Sequence, residues 1–323
     1  MKLLTACLIA IIGTVTLNAC KQESSATIKV GIVVPLQHKA MDEIIEGFTH
    51  TLKETYHQPI EIKIANAQND ANLERAIIQQ MRDENLNIIV PIGTDASQMT
   101  LAIARSQPVV SLASDLSEQD RQKLNPCNVA IVHDEISSTQ LIQFIHAAYP
   151  SLTHLTLIHS SANKIFPEVA KTITAGKKNG IEIKNVMITS LAELTSAAEN
   201  LSENTQGIFI LKDHLLVSGI STLAQAANKR HIPLITSDQG SVQDGADFAL
   251  GVHEKEIGVE GGKLAADILN NIPACHLPIV EMKKLTVFIN KNAMQHSKQN
   301  IDAIANAAKK LQYHVELINQ NAE

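Results

Sequence analysis

Short apolar runs alternate with amphipathic stretches along almost the whole chain, and this alternation limits the fold more than any other feature. The run from Ile28 to Val34 has the composition of a buried strand, and apolar residues then recur at helical spacing from Met41 to Tyr56. The unit repeats, with strands predicted at 60–65, 87–91 and 109–112 and helices at 73–81 and 96–104. Repeated strand–helix units require a parallel sheet with helices on both faces.

A second series of the same kind begins after an irregular, charged segment at 113–128. Its strands are predicted at 155–159, 181–188, 207–211, 232–236, 248–252 and 285–289. We therefore predict an α/β fold with two doubly wound parallel-sheet lobes and a ligand cleft between them. Lobe 1 is assigned residues 28–127 and 253–323, and lobe 2 is assigned residues 128–252. A predicted helix at 257–270 carries Gly258, Gly261 and Gly262, where we expect close packing.

The N-terminus has the form of a secretory signal, because a short apolar run from Leu3 to Leu17 is followed by small residues. The run is short for a transmembrane helix. The segment Leu17-Asn18-Ala19-Cys20 also resembles the lipobox of bacterial lipoproteins, whose cysteine becomes the acylated first residue. We predict a signal peptide at 1–19, lipidation at Cys20 and a tether at 20–27. The protein would then be exported and held at the cell envelope by a lipid anchor only, on the periplasmic face in a Gram-negative cell. The alternative is an ordinary cleavage site with an incidental cysteine.

Charge and histidine usage bear on partners and cofactors. Loss of Lys2 with the signal leaves 26 basic residues against 33 acidic ones, a net charge of about −7, which argues against a nucleic-acid partner. The 13 histidines are dispersed, and no His-x-x-x-His or Cys-x-x-Cys spacing occurs. No phosphate loop or dinucleotide fingerprint occurs either. We therefore expect no metal site and no cofactor.

Two of the four cysteines could form a disulfide in the mature protein. Cys7 departs with the signal and Cys20 is used by the anchor, so that Cys127 and Cys275 remain in an oxidising compartment. They form either a disulfide or two buried free thiols, because sequence alone does not bring their Cα atoms together.

Several segments, in their order and spacing, resemble the ABC transporter substrate-binding family that includes the tryptophan and tyrosine binding proteins. They are Val30 to Val34 with His38, Ala65 to Asp70, Gly93 to Gln98, Ile232 to Asp238, and the glycine spacing from Gly251 to Leu269. The resemblance spans residues 28–291. It implies a periplasmic-binding-protein type I fold that closes on a small-molecule ligand. It also implies delivery of the ligand to an ABC permease and its ATPase. We expect the protein to be a monomer and to catalyse no reaction.

Two segments depart from the pattern of this family. His159 to Lys164 is one residue shorter than the usual loop and lacks its glutamate, and Val252 to Lys255 lacks the usual aromatic residues. Together with the absence of tryptophan, these departures argue against an aromatic amino-acid ligand.

The binding site is expected beyond the carboxyl ends of the strands, where helix N-termini present unpaired N–H groups. The loops at 93–97 and 160–163 both follow a strand and open a helix. Eight residues are candidates for the site of a zwitterionic ligand, such as an amino acid. Thr94, Ser97, Ser161 and Asn163 would bind its carboxylate, Asp213 and Asp238 its ammonium group, and Val34 and Gln37 would form the floor. The competing interpretation of the Ser, Thr and Asp residues is that they only cap their own helices.

Catalysis by a serine hydrolase fits the sequence less well. Ser161-Ala162-Asn163-Lys164 and Ser237-Asp238-Gln239 imitate two motifs of penicillin-recognising enzymes, but the third motif, Lys-Thr-Gly, is missing. Two non-enzymatic functions would also suit the same fold, namely binding of a metabolite that is not an amino acid and ligand sensing.

Overall fold

The computed structural model describes residues 27–124, 127–162 and 165–318. The predicted signal peptide, Cys20 and Asn163 lie outside the described residues. Within the described part, no helix is long and apolar enough to cross a membrane.

The described chain alternates strands and helices over most of its length, as the sequence predicts. The strands are β1 (Ile28–Val34), β2 (Ile60–Asn66), β3 (Ile88–Pro91), β4 (Val109–Leu112), β5 (Val129–His133), β6 (His154–Ser160), β7 (Glu182–Ile188), β8 (Ile208–Ile210), β9 (Leu234–Thr236), β10 (Phe248–Gly251), β11 (Val280–Glu281), β12 (Thr286–Asn290) and β13 (His314–Ile318). The helices are α1 (Lys39–Thr55), α2 (Ala71–Asp83), α3 (Thr94–Ile103), α4 (Glu118–Leu124), α5 (Ser138–Ala148), α6 (Ile165–Lys178), α7 (Leu191–Glu199), α8 (His214–Ser218), α9 (Ile220–Arg230), α10 (Gln239–Gln243), α11 (Glu254–Leu269), α12 (Lys291–His296) and α13 (Ile301–Lys310).

The strands form two sheets, one in each lobe, which confirms the predicted fold class. In the first sheet the order is β11-β5-β4-β3-β1-β2, and every pairing is parallel. In the second sheet the order is β13-β12-β10-β9-β8-β6-β7, and only β10 and β12 pair antiparallel among its described strands.

The lobe boundaries differ from the predicted ones. Strand β5 belongs to the first sheet, although residues 128–252 were all expected in lobe 2. The larger correction concerns residues 253–323. Helix α11, the 3-10 turn at Ala274–His276 and β11 stay with lobe 1, whereas β12 and β13 extend the second sheet. The reason is packing: Ile304 and Ala308 of α13 are fully buried in the same core as Phe144 and Phe248 of lobe 2. The chain therefore crosses between the lobes three times within the described residues, after β5, β10 and β11.

Lobe 1 is held together by a close contact between α1 and α11. Ile44, Phe48 and Leu52 are fully buried and lie on one face of α1. A Cβ atom at Gly258 would overlap the backbone carbonyl oxygen of Ile44, and one at Gly262 would lie 2.9 Å from that of Phe48. The glycines of α11 therefore let two helix backbones approach each other, as the sequence predicts.

A disulfide joins Cys127 and Cys275, whose Cα atoms are 4.4 Å apart. It connects the loop before β5 to a short 3-10 turn at Ala274–His276 in the same lobe. The sequence left the choice between a disulfide and two free thiols open, and the structure contains the disulfide.

Candidate functional site

A cleft with an empty volume of about 960 Å³, including its opening to solvent, lies between the two lobes. Both lobes line it with residues that follow the carboxyl ends of their strands, such as Gly93 after β3 and Ser237 after β9. The lobes touch beside the cleft, where the Gln243 side chain of α10 donates a 2.7 Å hydrogen bond to Glu43 of α1. The cleft therefore lies where ligands bind in open α/β sheets.

The N-terminus of α3 opens into the cleft without a side-chain cap. Its N-cap residue is Gly93, which has a φ of +93° and supplies no capping hydrogen bond. Thr94 lines the cleft, and its hydroxyl oxygen accepts a 3.1 Å hydrogen bond from the backbone N–H of Asp115, so that its own O–H can still donate. An uncapped helix N-terminus carries partial positive charge, which suits a ligand carboxylate.

Asp213 and Asp238 both line the cleft, but both carboxylates cap helices. The Asp213 carboxylate accepts hydrogen bonds from the backbone N–H groups of Ser160 at 2.6 Å and Leu215 at 3.1 Å. The Asp238 carboxylate accepts from the backbone N–H and the hydroxyl of Ser241, each at 2.7 Å. The hydrogen-bond partners of both carboxylates are therefore those expected of helix caps, although both residues line the cleft.

The other predicted site residues are not part of the cleft wall. Val34 is buried in the core of lobe 1, and Leu36 lines the cleft in its place. The exposed Gln37 donates to Asp42. The buried Ser97 hydroxyl donates to the Gly93 carbonyl oxygen at 2.7 Å, and Ser161 is exposed outside the cleft.

Lys212 forms a charged triad with two buried carboxylates at the base of the cleft. Its Nζ lies 2.6 Å from Asp134 Oδ2 and 3.2 Å from Glu254 Oε1. Burial by itself would lower the pKa of Lys212, but the charges of Asp134 and Glu254 outweigh it and raise that pKa. Lys212 therefore stays protonated. Burial raises the pKa of Glu254 to about 8 even though the charge of Lys212 opposes this shift. The positive charge of Lys212 is thus neutralised within the protein.

Two further carboxylates face the cleft from opposite lobes. Glu168 of α6 has its pKa raised to about 8 by burial and by the negative charges of Asp115, Asp134 and Glu135. Asp115 follows β4 in lobe 1, and loss of surrounding water together with the charge of Asp134 raises its pKa to about 6. The site as a whole is acidic. Even so, among the described residues no three His, Cys, Asp or Glu side chains are arranged to hold a metal ion.

Sequence reasoning missed five of these residues: Asp115, Asp134, Glu168, Lys212 and Glu254. A signal was present for Asp134 and Lys212, since each is charged and comes directly or almost directly after a buried strand. Glu168 lies in the first turn of α6, and only the approach of the two lobes brings it to the cleft.

Comparison with known proteins agrees with this architecture. Residues 29–313 match the family described as ABC transporter substrate binding protein. An uncharacterized protein of Rickettsia prowazekii (strain Madrid E) is 42% identical over 262 residues, which are 81% of this chain and 82% of the relative. The tyrosine-binding protein of Clostridioides difficile (strain R20291) is 23% identical over 317 residues, 91% of each chain.

A solved structure shares the fold. The ABC domain from Streptococcus pneumonia in complex with L-Trp superposes with a TM-score of 0.79 at 20% identity, covering 90% of this chain and 100% of that one. The family match covers nearly the whole described chain, and the 42% identical relative spans most of both sequences. The chain belongs to the ABC transporter substrate-binding protein family.

Proposed function

We propose that this protein is the exported, lipid-anchored substrate-binding component of an ABC importer, and that it binds a small zwitterionic ligand, an amino acid or a close relative. The observation that carries the proposal is the cleft, in which an uncapped helix N-terminus in lobe 1 faces carboxylates of both lobes. A ligand with a carboxylate and an ammonium group complements that distribution of charge. The protein would deliver it to a permease and would itself catalyse no reaction.

The relatives support an amino acid as the ligand. One is named a tyrosine-binding protein, and another was crystallised with L-Trp. The cleft of this chain has no aromatic Phe, Tyr or Trp among its described lining residues, and aliphatic side chains take up much of its wall. We therefore infer from the relatives only that the ligand has the backbone of an amino acid. The side chain of the ligand has to be inferred from the residues that line the cleft.

A thermal-shift screen of the mature protein against the amino acids and a panel of other small metabolites tests the proposal. A ligand at about 100 times its Kd adds roughly 2.7 kcal/mol to the free energy of unfolding, which raises Tm by several degrees. A shift with one class of α-amino acid is the expected result. A shift only with ligands that lack an α-amino acid group would refute the zwitterionic ligand, and no response to any compound would refute the binding function.

Anchoring has a separate test. Cells that express the full chain should incorporate labelled fatty acid into it, and the Cys20→Ala variant should lose the label and leave the membrane fraction. Retention of the label in Cys20→Ala would contradict the predicted site of lipidation.

A further inference from the structure

The cleft contains two carboxylates, Asp115 and Glu168, that form no ion pair with a described residue, although the charge of Lys212 acts on both from a distance. The other acidic groups of the wall have partners: Asp134 and Glu254 bind Lys212, Glu135 lies 3.0 Å from Lys171, and Asp213 and Asp238 are helix caps. No hydrogen bond or ion pair with another described residue reaches the side-chain oxygens of Asp115 or Glu168. Carboxylates that face each other across a cleft without a cation are unfavourable unless something else supplies the positive charge.

An independent observation also points to a polar ligand. Ser237 lines the cleft and is only 3% exposed, yet its hydroxyl has no hydrogen-bond partner among the described residues. A buried hydroxyl without a partner is costly in a folded protein. Because a hydroxyl can donate and accept, Ser237 can bind either end of a zwitterion.

The wall around these groups suits an aliphatic chain. Apolar side chains from both lobes contribute to it, among them Met41, Ile44, Ile136, Leu141 and Ile165. Ile165 lies one helical turn before Glu168 on α6. Methylene groups would pack against this surface, while a charge at their end would reach the carboxylates.

We infer that the ligand is an α-amino acid with an aliphatic, positively charged side chain, whose ammonium or guanidinium group lies between Asp115 and Glu168. The inference rests on the proposed function, because the α-carboxylate is placed at the N-terminus of α3. A cation there offsets the repulsion between the two carboxylates and is attracted to both. A neutral side chain of the same length would leave both carboxylates unpaired.

Calorimetry on the purified protein tests this assignment with pairs of compounds. L-Arginine is compared with L-citrulline and L-lysine with L-norleucine, since each pair differs mainly in charge. Agmatine, which is arginine without its carboxylate, tests whether the α-carboxylate is recognised. We expect one of the cationic amino acids to bind at least about tenfold more tightly than its neutral counterpart and than agmatine. Glu168→Gln and Asp115→Asn should each weaken its binding by about tenfold or more, whereas Glu199→Gln, which removes an exposed charge on α7, should not.

Both cleft variants keep the size of the side chain and remove an ionisable group, so the Tm of each shows whether it folds. Equal binding of a cationic amino acid and its neutral counterpart would overturn the inference, and so would preference for tyrosine or tryptophan, but either result would leave the proposed function intact. Agmatine binding as tightly as arginine would overturn the assignment of the ligand as an amino acid. If no α-amino acid bound at all, the proposed function itself would fail.

Discussion

Replacing Lys212 by methionine should destabilise the protein strongly at neutral pH. Lys212 follows β8 of lobe 2, whereas Asp134 follows β5 and Glu254 opens α11, both in lobe 1. The two ion pairs therefore join the lobes at the base of the cleft. Methionine has a similar volume but no charge, so the variant leaves the buried side chains of Asp134 and Glu254 without a cation.

The size of the effect follows from burial. The Glu254 side chain is 2% exposed and that of Asp134 is 9% exposed, whereas 27% of the Lys212 side chain remains accessible. Removing one partner of a buried ion pair costs about 3–5 kcal/mol, and partial exposure of Lys212 reduces our expectation to about 2–4 kcal/mol. Since 1 kcal/mol corresponds to about 2 °C in a chain of this size, Tm should fall by about 4–8 °C.

Differential scanning fluorimetry at about pH 7.5 and pH 5 measures this effect. Without Lys212 the folded-state pKa of Glu254 rises further, so the folded protein keeps a proton that the unfolded chain has released. The penalty should therefore grow with pH and shrink at pH 5. Lys171→Met is the matched control, because its pair with Glu135 is exposed at both ends and contributes about 0–1 kcal/mol.

A rescue variant separates charge from packing. Lys212→Met combined with Asp134→Asn and Glu254→Gln removes the unpaired charges and should recover most of the lost stability. If Lys212→Met lowered Tm no more than Lys171→Met, or if the triple variant gave no recovery, our account of the triad would be refuted.

Three further predictions concern other parts of the fold. Gly258→Ala should lower the free energy of unfolding by about 1–3 kcal/mol in chemical denaturation, because its Cβ meets the α1 backbone, and Glu256→Ala on the exposed side of α11 should not. Serine at both Cys127 and Cys275 should cost roughly 2–5 kcal/mol, and mass spectrometry should find these thiols unreactive towards alkylation until reduction. The raised pKa values of Glu168 and Glu254, both about 8, mean that the folded protein keeps protons that the unfolded chain loses, so Tm should decrease as pH rises from about 5 to 8. A pH-independent Tm in this range would contradict those shifts.

The local pattern of apolar residues was enough to predict the helices and strands and much of the architecture. The run Ile28 to Val34 became β1, and the helical spacing of Ile44, Phe48 and Leu52 became the buried face of α1. These predictions succeed because burial follows the period of each element, which is a property of neighbouring residues. The glycines of α11 were also informative, since Gly258 and Gly262 lie where the α1 backbone comes close.

Sequence could not assign the final segment to a lobe. Strands β12 and β13 have ordinary strand composition and would fit the edge of either sheet, and only their pairing with β10 and the burial of α13 beside Phe144 place them in lobe 2. The sequence left the pairing of Cys127 undetermined for the same reason. Contacts between segments far apart in the chain depend on the whole fold.

The candidate site, too, could be predicted from the sequence only in part. Its predicted position beyond the strand ends rests on the alternation of strands and helices, and of the residues predicted there Thr94, Asp213 and Asp238 line the cleft. Whether a carboxylate there is a cap, part of an ion pair or unpaired depends on atoms supplied by the other lobe. Sequence alone therefore determined two α/β lobes with a cleft. The tertiary structure decided that Lys212 is neutralised and that Asp115 and Glu168 form no ion pair with a described residue, because desolvation and charge act through space rather than along the chain.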